Sequence, residues 1–311
     1  MARGLRDLRR KMKAIRSTRQ VTKAMELVAA SKMRRATQSA VQLRRYALTA
    51  WQILETLAEA NPGLHPFLTE RPPQRILGIL FSPDRGLCGS LSAQMFRMVM
   101  QYIAKLQAIS APPELSFVAV GKKGQQFLLR NRQTIIAAFP AFSAHPQFRD
   151  ILPIVRLATD SFLGGQCDSV VLLYPDFISA LLQEPTSKVL LPFSKTSLKE
   201  MLDDLLPHKK GSLESGSKNQ ELRVSEYLFE PSADDILRQI LPQLTEVQIY
   251  QALLEAVASE HSARMVAMRN ATENASDLLD DLTLTYNITR QAGITAELAE
   301  LSASKAALGG D

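Results

Sequence analysis

The chain reads as an α/β protein: a long antiparallel coiled coil of its N- and C-terminal helices plus a central Rossmann-like α/β domain. Three observations predict this. A helical series with apolar residues three and four apart runs through Leu5, Leu8, Met12, Ile15, Ala29, Met33, Ala36, Ala40, Leu43, Ala47, Ala50, Leu54 and Leu57. A second series runs through Ile240, Leu244, Val247, Leu254, Ala258, Met265, Met268, Ala275, Leu279, Leu282 and Tyr286. Between them the period shortens to apolar runs of strand length. Apolar residues every 3.5 positions over many turns belong to coiled coils, and strands alternating with helices belong to a mostly parallel sheet covered on both faces.

The first helix is predicted from about Leu5 to near Ala60, where Asn61-Pro62-Gly63 stops it. At about 1.5 Å per residue it is a rod of roughly 80 Å. Its series slips only near Arg19, Thr22 and Glu26. The prolines of His65-Pro66 and Arg71-Pro72-Pro73 mark a linker. Strands are then expected over 75–81, 115–120, 133–139 and 168–174, with helices near 90–106, 125–128 and 154–163 between them. Residues 177–193 read as one or two further strands, antiparallel at the sheet edge. The polar stretch 195–219 is an excursion within the 75–230 segment, and Glu226–Glu230 is a short strand. Ser232 is placed to cap the last helix, with Asp234 and Asp235 in its first turn. The expected divisions are therefore a shaft helix over 1–60, an α/β segment over 75–230 and a second shaft helix over 232–308.

Charge is distributed unevenly around a total of +6. Residues 1–45 hold fourteen Lys and Arg against Asp7 and Glu26, net +12, and residues 234–311 hold twelve acids against five bases, net −7. Paired, the two helices would attract along their length, and the basic one would also suit an acidic partner. Nucleic-acid binding would call for interleaved aromatics or a known module beside the arginines, and the sequence has neither. A free-standing basic coiled-coil scaffold, with or without nucleic acid, is the competing reading.

Little points to catalysis. Asp84-Arg85-Gly86-Leu87-Cys88-Gly89-Ser90 stands in the strand-turn-helix order of a phosphate cradle, but without GxGxxG or GK[ST] spacing it reads as a tight turn, as does Gly121-Lys122-Lys123-Gly124. Cys88 and Cys167 are far apart with no metal spacing and read as reduced thiols of a cytoplasmic protein. The four histidines form no ligand pair, so no metal and no cofactor are expected. No apolar run is long enough to span a bilayer, and the Arg-rich start is read as mature helix, since the heptads begin at Leu5.

Both ends resemble the gamma subunit of rotary F-type ATP synthases. The stretch Ile15–Ala36, centred on Thr22-Lys23-Ala24-Met25-Glu26 and Ala29-Ala30-Ser31-Lys32-Met33, is similar to the family's first-helix signature. Ala258–Met268, Leu282–Asn287 and Arg290–Thr295 are similar to its C-terminal motifs, and Asp84–Gly89 to its middle turn. The resemblance implies a central-stalk rotor without catalytic residues, one copy per complex. Its helices would turn inside a ring of alpha and beta subunits, with the α/β segment against the epsilon subunit and the membrane rotor ring. It implies ion-driven ATP synthesis at the beta subunits and a peripheral place on the cytoplasmic face of a bacterial membrane. It also implies partner contacts at Lys23 and Met25, and at Arg290 and Gln291 further along the shaft. Departures from the family pattern are Ser90 and Ser92 after the turn and the polar Lys305 and Asp311 at the tip.

Overall fold

In the computed structural model, residues 2–60, 66–69, 71–140, 146–193 and 233–308 are described. The 195–219 excursion, the strand expected at Glu226–Glu230 and the Ser232 cap lie outside them. The elements are α1 (Ala2–Ala60), β1 (Arg75–Phe81), α2 (Leu91–Gln107), β2 (Glu114–Val120), α3 (Lys122–Arg130), β3 (Thr134–Phe139), α4 (Phe148–Leu163), β4 (Ser169–Phe177), β5 (Gln183–Leu191) and α5 (Ala233–Leu308). Two compact units emerge: residues 1–30 with 264–311, and residues 31–263.

In the second unit the strands form one sheet in the order β3-β2-β1-β4-β5. β1, β2, β3 and β4 run parallel, and β5 returns antiparallel to β4. The reason lies in the strand sequences. Arg75-Ile76-Leu77-Gly78-Ile79-Leu80-Phe81 is apolar at nearly every position because both of its faces are covered. Leu77, Ile79 and Phe81 pack with Ile154, Ala158 and Phe162 of α4 and with Leu244, Leu253 and Val257 of α5. Ile76 and Leu80 point the other way, to Met95, Val99 and Ile103 of α2 and Leu128 of α3. Helix α5 is buried at every position from Ala252 to Ser259, which no amphipathic surface helix would be.

Local bounds differ from expectation where polar signals extend an element. α4 begins at Phe148, six residues before Ile154, because Asp150 accepts the Gln147 N–H at 2.8 Å and closes the first turn. Pro153 then removes one ladder donor without ending the helix. The segment read as a linker is not one throughout. Pro66–Leu68 form a 3-10 turn whose Phe67 is 1 % exposed, with edge contacts to Phe162 and Phe193 at centroid distances of 5.9 and 6.4 Å.

At the opposite end of the strands from the β1–α2 turn, Arg75 clamps Asp168. Its backbone N–H donates to Oδ2 at 2.9 Å and its Nη2 to Oδ1 at 3.1 Å, tying the starts of β1 and β4. Chiefly through that side-chain bond, the Asp168 carboxyl is held below its ordinary value of 3.8. A carboxyl depressed on folding stabilises the protein above its unfolded value, and the gain is lost as pH falls through the folded value. Asp168→Asn is therefore expected to lower the thermal midpoint at pH 7, and the difference from wild type to shrink as the pH is taken below the ordinary carboxyl value of 3.8, measured by melting curves across pH.

Candidate functional site

Two places could carry function, and each is built by the elements around it. The first is the crevice at the carboxyl ends of β1 and β4, where the strand order reverses and doubly wound sheets ordinarily bind ligands. Here the neighbouring helix amides are already engaged. Asp84 Oδ1 accepts the Lys122 N–H at 2.7 Å, Ser82 Oγ accepts the Gly124 N–H at 2.8 Å, and the Pro83 carbonyl accepts the Lys123 N–H at 3.2 Å. The amides at the α3 N-terminus, which a phosphate would use, thus serve the β1 turn. Leu253, Ala256, Val257 and Glu260 of α5 line the crevice with Phe81, Ser82 and Pro175, leaving a cavity of about 20 Å³. That is room for about one water molecule.

The two turns singled out from sequence are accordingly strand-to-helix connections. Cys88 is buried, its Sγ 3.6 Å from Ser92 Oγ, and Cys167 is buried with its thiol pushed up to about 11, first by burial and then by Asp168. Both cysteines are free. Leu87 stands between Gly86 and Cys88 at φ 65°, its side chain 60 % exposed, an unusual backbone for a branched apolar residue.

The second place is the pair of helix ends forming the other unit. Along α1 the residues turned inward are Leu5, Leu8, Met12, Ile15, Arg19, Thr22, Glu26 and Ala29, at alternating steps of three and four. The slip expected near Arg19, Thr22 and Glu26 is thus absent: the seam continues through polar residues. Along α5 the inward series is Met265, Met268, Thr272, Ala275, Leu279, Leu282, Tyr286, Thr289, Gly293 and Ala296. Thr272 Oγ1 lies 2.8 Å from Thr22 Oγ1, which in turn donates to the Arg19 carbonyl at 3.0 Å. Arg9 Nη2 donates to the Tyr286 hydroxyl at 2.7 Å, with its guanidinium carbon 5.7 Å from the ring centroid. From Thr22 back to Arg9 is 13 residues and from Thr272 on to Tyr286 is 14, so the helices run antiparallel with matched rise. Sequence reading missed the Thr22–Thr272 contact because it scored only apolar residues. The strict continuation of the three-four spacing through Thr22 was the signal that could have found it.

The charged residues of this unit lie mostly on outward faces. Lys23 pairs along its own helix with Glu26 at 3.0 Å, as Arg269 does with Glu273 at 3.1 Å. Of the residues singled out for partner contact, Lys23, Arg290 and Gln291 are exposed and Met25 is half-buried. By the register above, Lys23 lies level with about Ala271, so Arg290 stands some 19 residues, roughly 28 Å, further along the coil. The four residues therefore form two groups. Removing the hydroxyl pair should cost little: Thr22→Val and Thr272→Val in a double-mutant cycle are expected to show coupling of about 0.5–1.5 kcal/mol in denaturant titrations.

One unit of zipped terminal helix ends, and another in which α5 lines the strand-end crevice of a five-stranded sheet, make this an α/β protein with a coiled-coil portion. Comparison with known proteins agrees: the family model described as ATP synthase matches residues 4–308. The chain is 41 % identical over 306 residues to the ATP synthase gamma chain of Roseiflexus sp. (strain RS-1), covering 97 % of this chain and 98 % of that one. It is likewise 41 % identical over 301 residues to the ATP synthase gamma chain of Opitutus terrae, covering 96 % and 97 %. Among solved structures, a chain of the central stalk and c-ring of Tetrahymena thermophila mitochondrial ATP synthase matches with TM-score 0.57 and 25 % identity, covering 81 % and 99 %. A Euglena gracilis mitochondrial ATP synthase chain matches in fold with TM-score 0.61, covering 99 % and 95 % at 19 % identity. The protein belongs to the ATP synthase gamma chain family.

Proposed function

We propose that this chain is the central-stalk rotor of an ATP synthase: a non-catalytic subunit that carries torque between a membrane rotor ring and beta-subunit catalytic sites. The observation that carries the reading is the continuous antiparallel seam of residues 5–29 against 265–289, joined across by Thr22–Thr272 and Arg9–Tyr286. Its smaller seam residues, Ala29 and Ala275, favour close approach of the helices and hence stiffness. Residues 1–60 and 232–308 serve as the shaft and residues 75–230 as the foot. Charge crossing a membrane supplies about 2.3 kcal/mol per 100 mV, so several ions must turn the rotor for each ATP, and the shaft holds strain between steps.

The partners are the alpha, beta and epsilon subunits and the rotor ring, with one copy of this chain per complex. No helix among the described residues is long and apolar enough to cross a membrane, which fits a peripheral place on the cytoplasmic face of a bacterial membrane. Lys23 and Met25 are the lower partner contacts, on the basic helix where acidic surfaces of the beta subunits suit them. Arg290 and Gln291 are the upper contacts.

The test is purification of the tagged chain from its own solubilised membranes. Alpha and beta subunits at about three copies each, with ATPase activity, are expected; recovery alone, or with nucleic acid, overturns the reading in favour of a scaffold. In the same complex, a variant carrying Arg290→Ala and Gln291→Ala is expected to assemble normally and to lose about tenfold in ATP turnover. That is the size of two contacts together worth about 1.4 kcal/mol. Unchanged turnover would remove the upper contact from the account.

A further inference from the structure

Helix α5 carries a polar stripe, buried from Glu255 onward, that the rotor reading does not use. Gln251, Glu255, Ser259 and Ser262 recur at helical spacing on one face, directed at the β4–β5 hairpin. Ser259 Oγ donates to the Pro175 carbonyl at 3.0 Å, and Ser262 Oγ to the Ala180 carbonyl at 2.6 Å. Gln183 Nε2 reaches Ser262 Oγ at 3.4 Å. One turn before Ser259, Glu255 is 4 % exposed and accepts from Gln251 Nε2 at 2.9 Å. The strand that binds Ser259 continues directly into Asp176, whose side chain faces Glu255. Lys188 of β5 completes the group, its ammonium 5.6 Å from the Tyr174 ring centroid. Glu184, exposed, sits opposite Asp176 in the ladder.

We propose that Glu255 and Asp176 form a proton-binding site that latches the β4–β5 hairpin to α5. With one proton bound, the Glu255 carboxyl donates to the Asp176 carboxylate, Lys188 balances the remaining negative charge, and the trio is neutral. When the proton leaves to solvent, two carboxylates face one ammonium, the trio carries −1 with the Glu255 charge itself buried, and the hairpin loosens. Burial, then Asp176, pushes the Glu255 carboxyl from 4.5 up to about 7, against the opposing pull of Lys188 and Gln251. Release therefore falls in the range where a membrane-bound ion-driven machine experiences changing pH. Ser259 and Ser262 carry no charge and hold the hairpin in register in both states.

The test is amide hydrogen exchange of the full chain at about pH 5.5 and about pH 8.5, as protection factors for residues 176–188 corrected for the intrinsic pH dependence of exchange. In the wild type, protection of the hairpin is expected to fall about tenfold or more at the higher pH. Glu255→Gln, which keeps the shape and donates permanently, is expected to stay protected at both. Asp176→Asn leaves Glu255 a single opposing ammonium, and it too is expected to stay protected. Equal wild-type protection at both pH values, or a loss in Glu255→Gln as large as in wild type, overturns the proposal. Should Glu255→Gln fail to fold, the wild-type infrared carboxyl band decides: its loss between those pH values, absent in Asp176→Asn, supports the site, and no titrating band overturns it. The isolated chain suffices, so failure here leaves the rotor reading intact.

Discussion

Gly121→Ala is expected to destabilise the α/β unit by more than about 4 kcal/mol, enough to abolish a cooperative unfolding transition at 37 °C. Gly121 links β2 to α3 at φ 97° and ψ 143°, a backbone open to glycine and costly to any residue with a Cβ. A methyl group there would lie 1.9 Å from the Ser82 carbonyl oxygen, a backbone atom. That carbonyl belongs to the turn whose Ser82 hydroxyl donates to Val120 O and accepts from Gly124 N–H. Relief by movement therefore breaks the connection that seats α3. The Gly121 N–H also donates to the Phe139 carbonyl at 2.8 Å, so β3 moves with it. Circular dichroism melts of wild type and variant check the prediction; a midpoint within a few degrees of wild type would show that the turn relaxes freely.

Phe67→Ala is expected to cost about 3–5 kcal/mol, as for a large aromatic removed from a packed core. Phe67 is 1 % exposed between Phe162 and Phe193, and its carbonyl accepts the Phe193 N–H at 2.7 Å. The ring therefore seals the edge where the chain enters the sheet unit. If the segment around Pro66 were only a connector, the cost would be a few tenths of a kcal/mol. Urea titration, comparing midpoints at unchanged slope, separates the two.

Those residues show where sequence reading reached and where it stopped. Strand identities, the antiparallel edge strand and both long helices were legible because apolar period is a strong local signal, and β1 and β4 are apolar on both faces. Phe67 was missed because three prolines nearby outweighed one aromatic, whose burial depends on Phe162 and Phe193, about a hundred residues away. The continuous seam through Thr22 was misread as a slip, since hydrophobicity alone cannot register a hydroxyl bonded to Thr272 250 positions on. The filling of the strand-end crevice by Leu253 and Val257 was equally hidden: it depends on how α5 lies against the sheet. By contrast, Lys23, Met25, Arg290 and Gln291 came from family resemblance, and the structure adds their exposure and their spacing along the coil.

The rotor claim is tested most directly by watching this chain turn. In a complex fixed to a surface through its beta subunits, a bead is attached to the exposed α3 position Gln126 through Gln126→Cys. Cys88 and Cys167 are buried and should stay unlabelled. On adding ATP, the bead is expected to rotate stepwise in one direction and to stop when ATP is withdrawn. ATP hydrolysed at the full rate beneath a motionless, freely tethered bead would contradict the rotor claim.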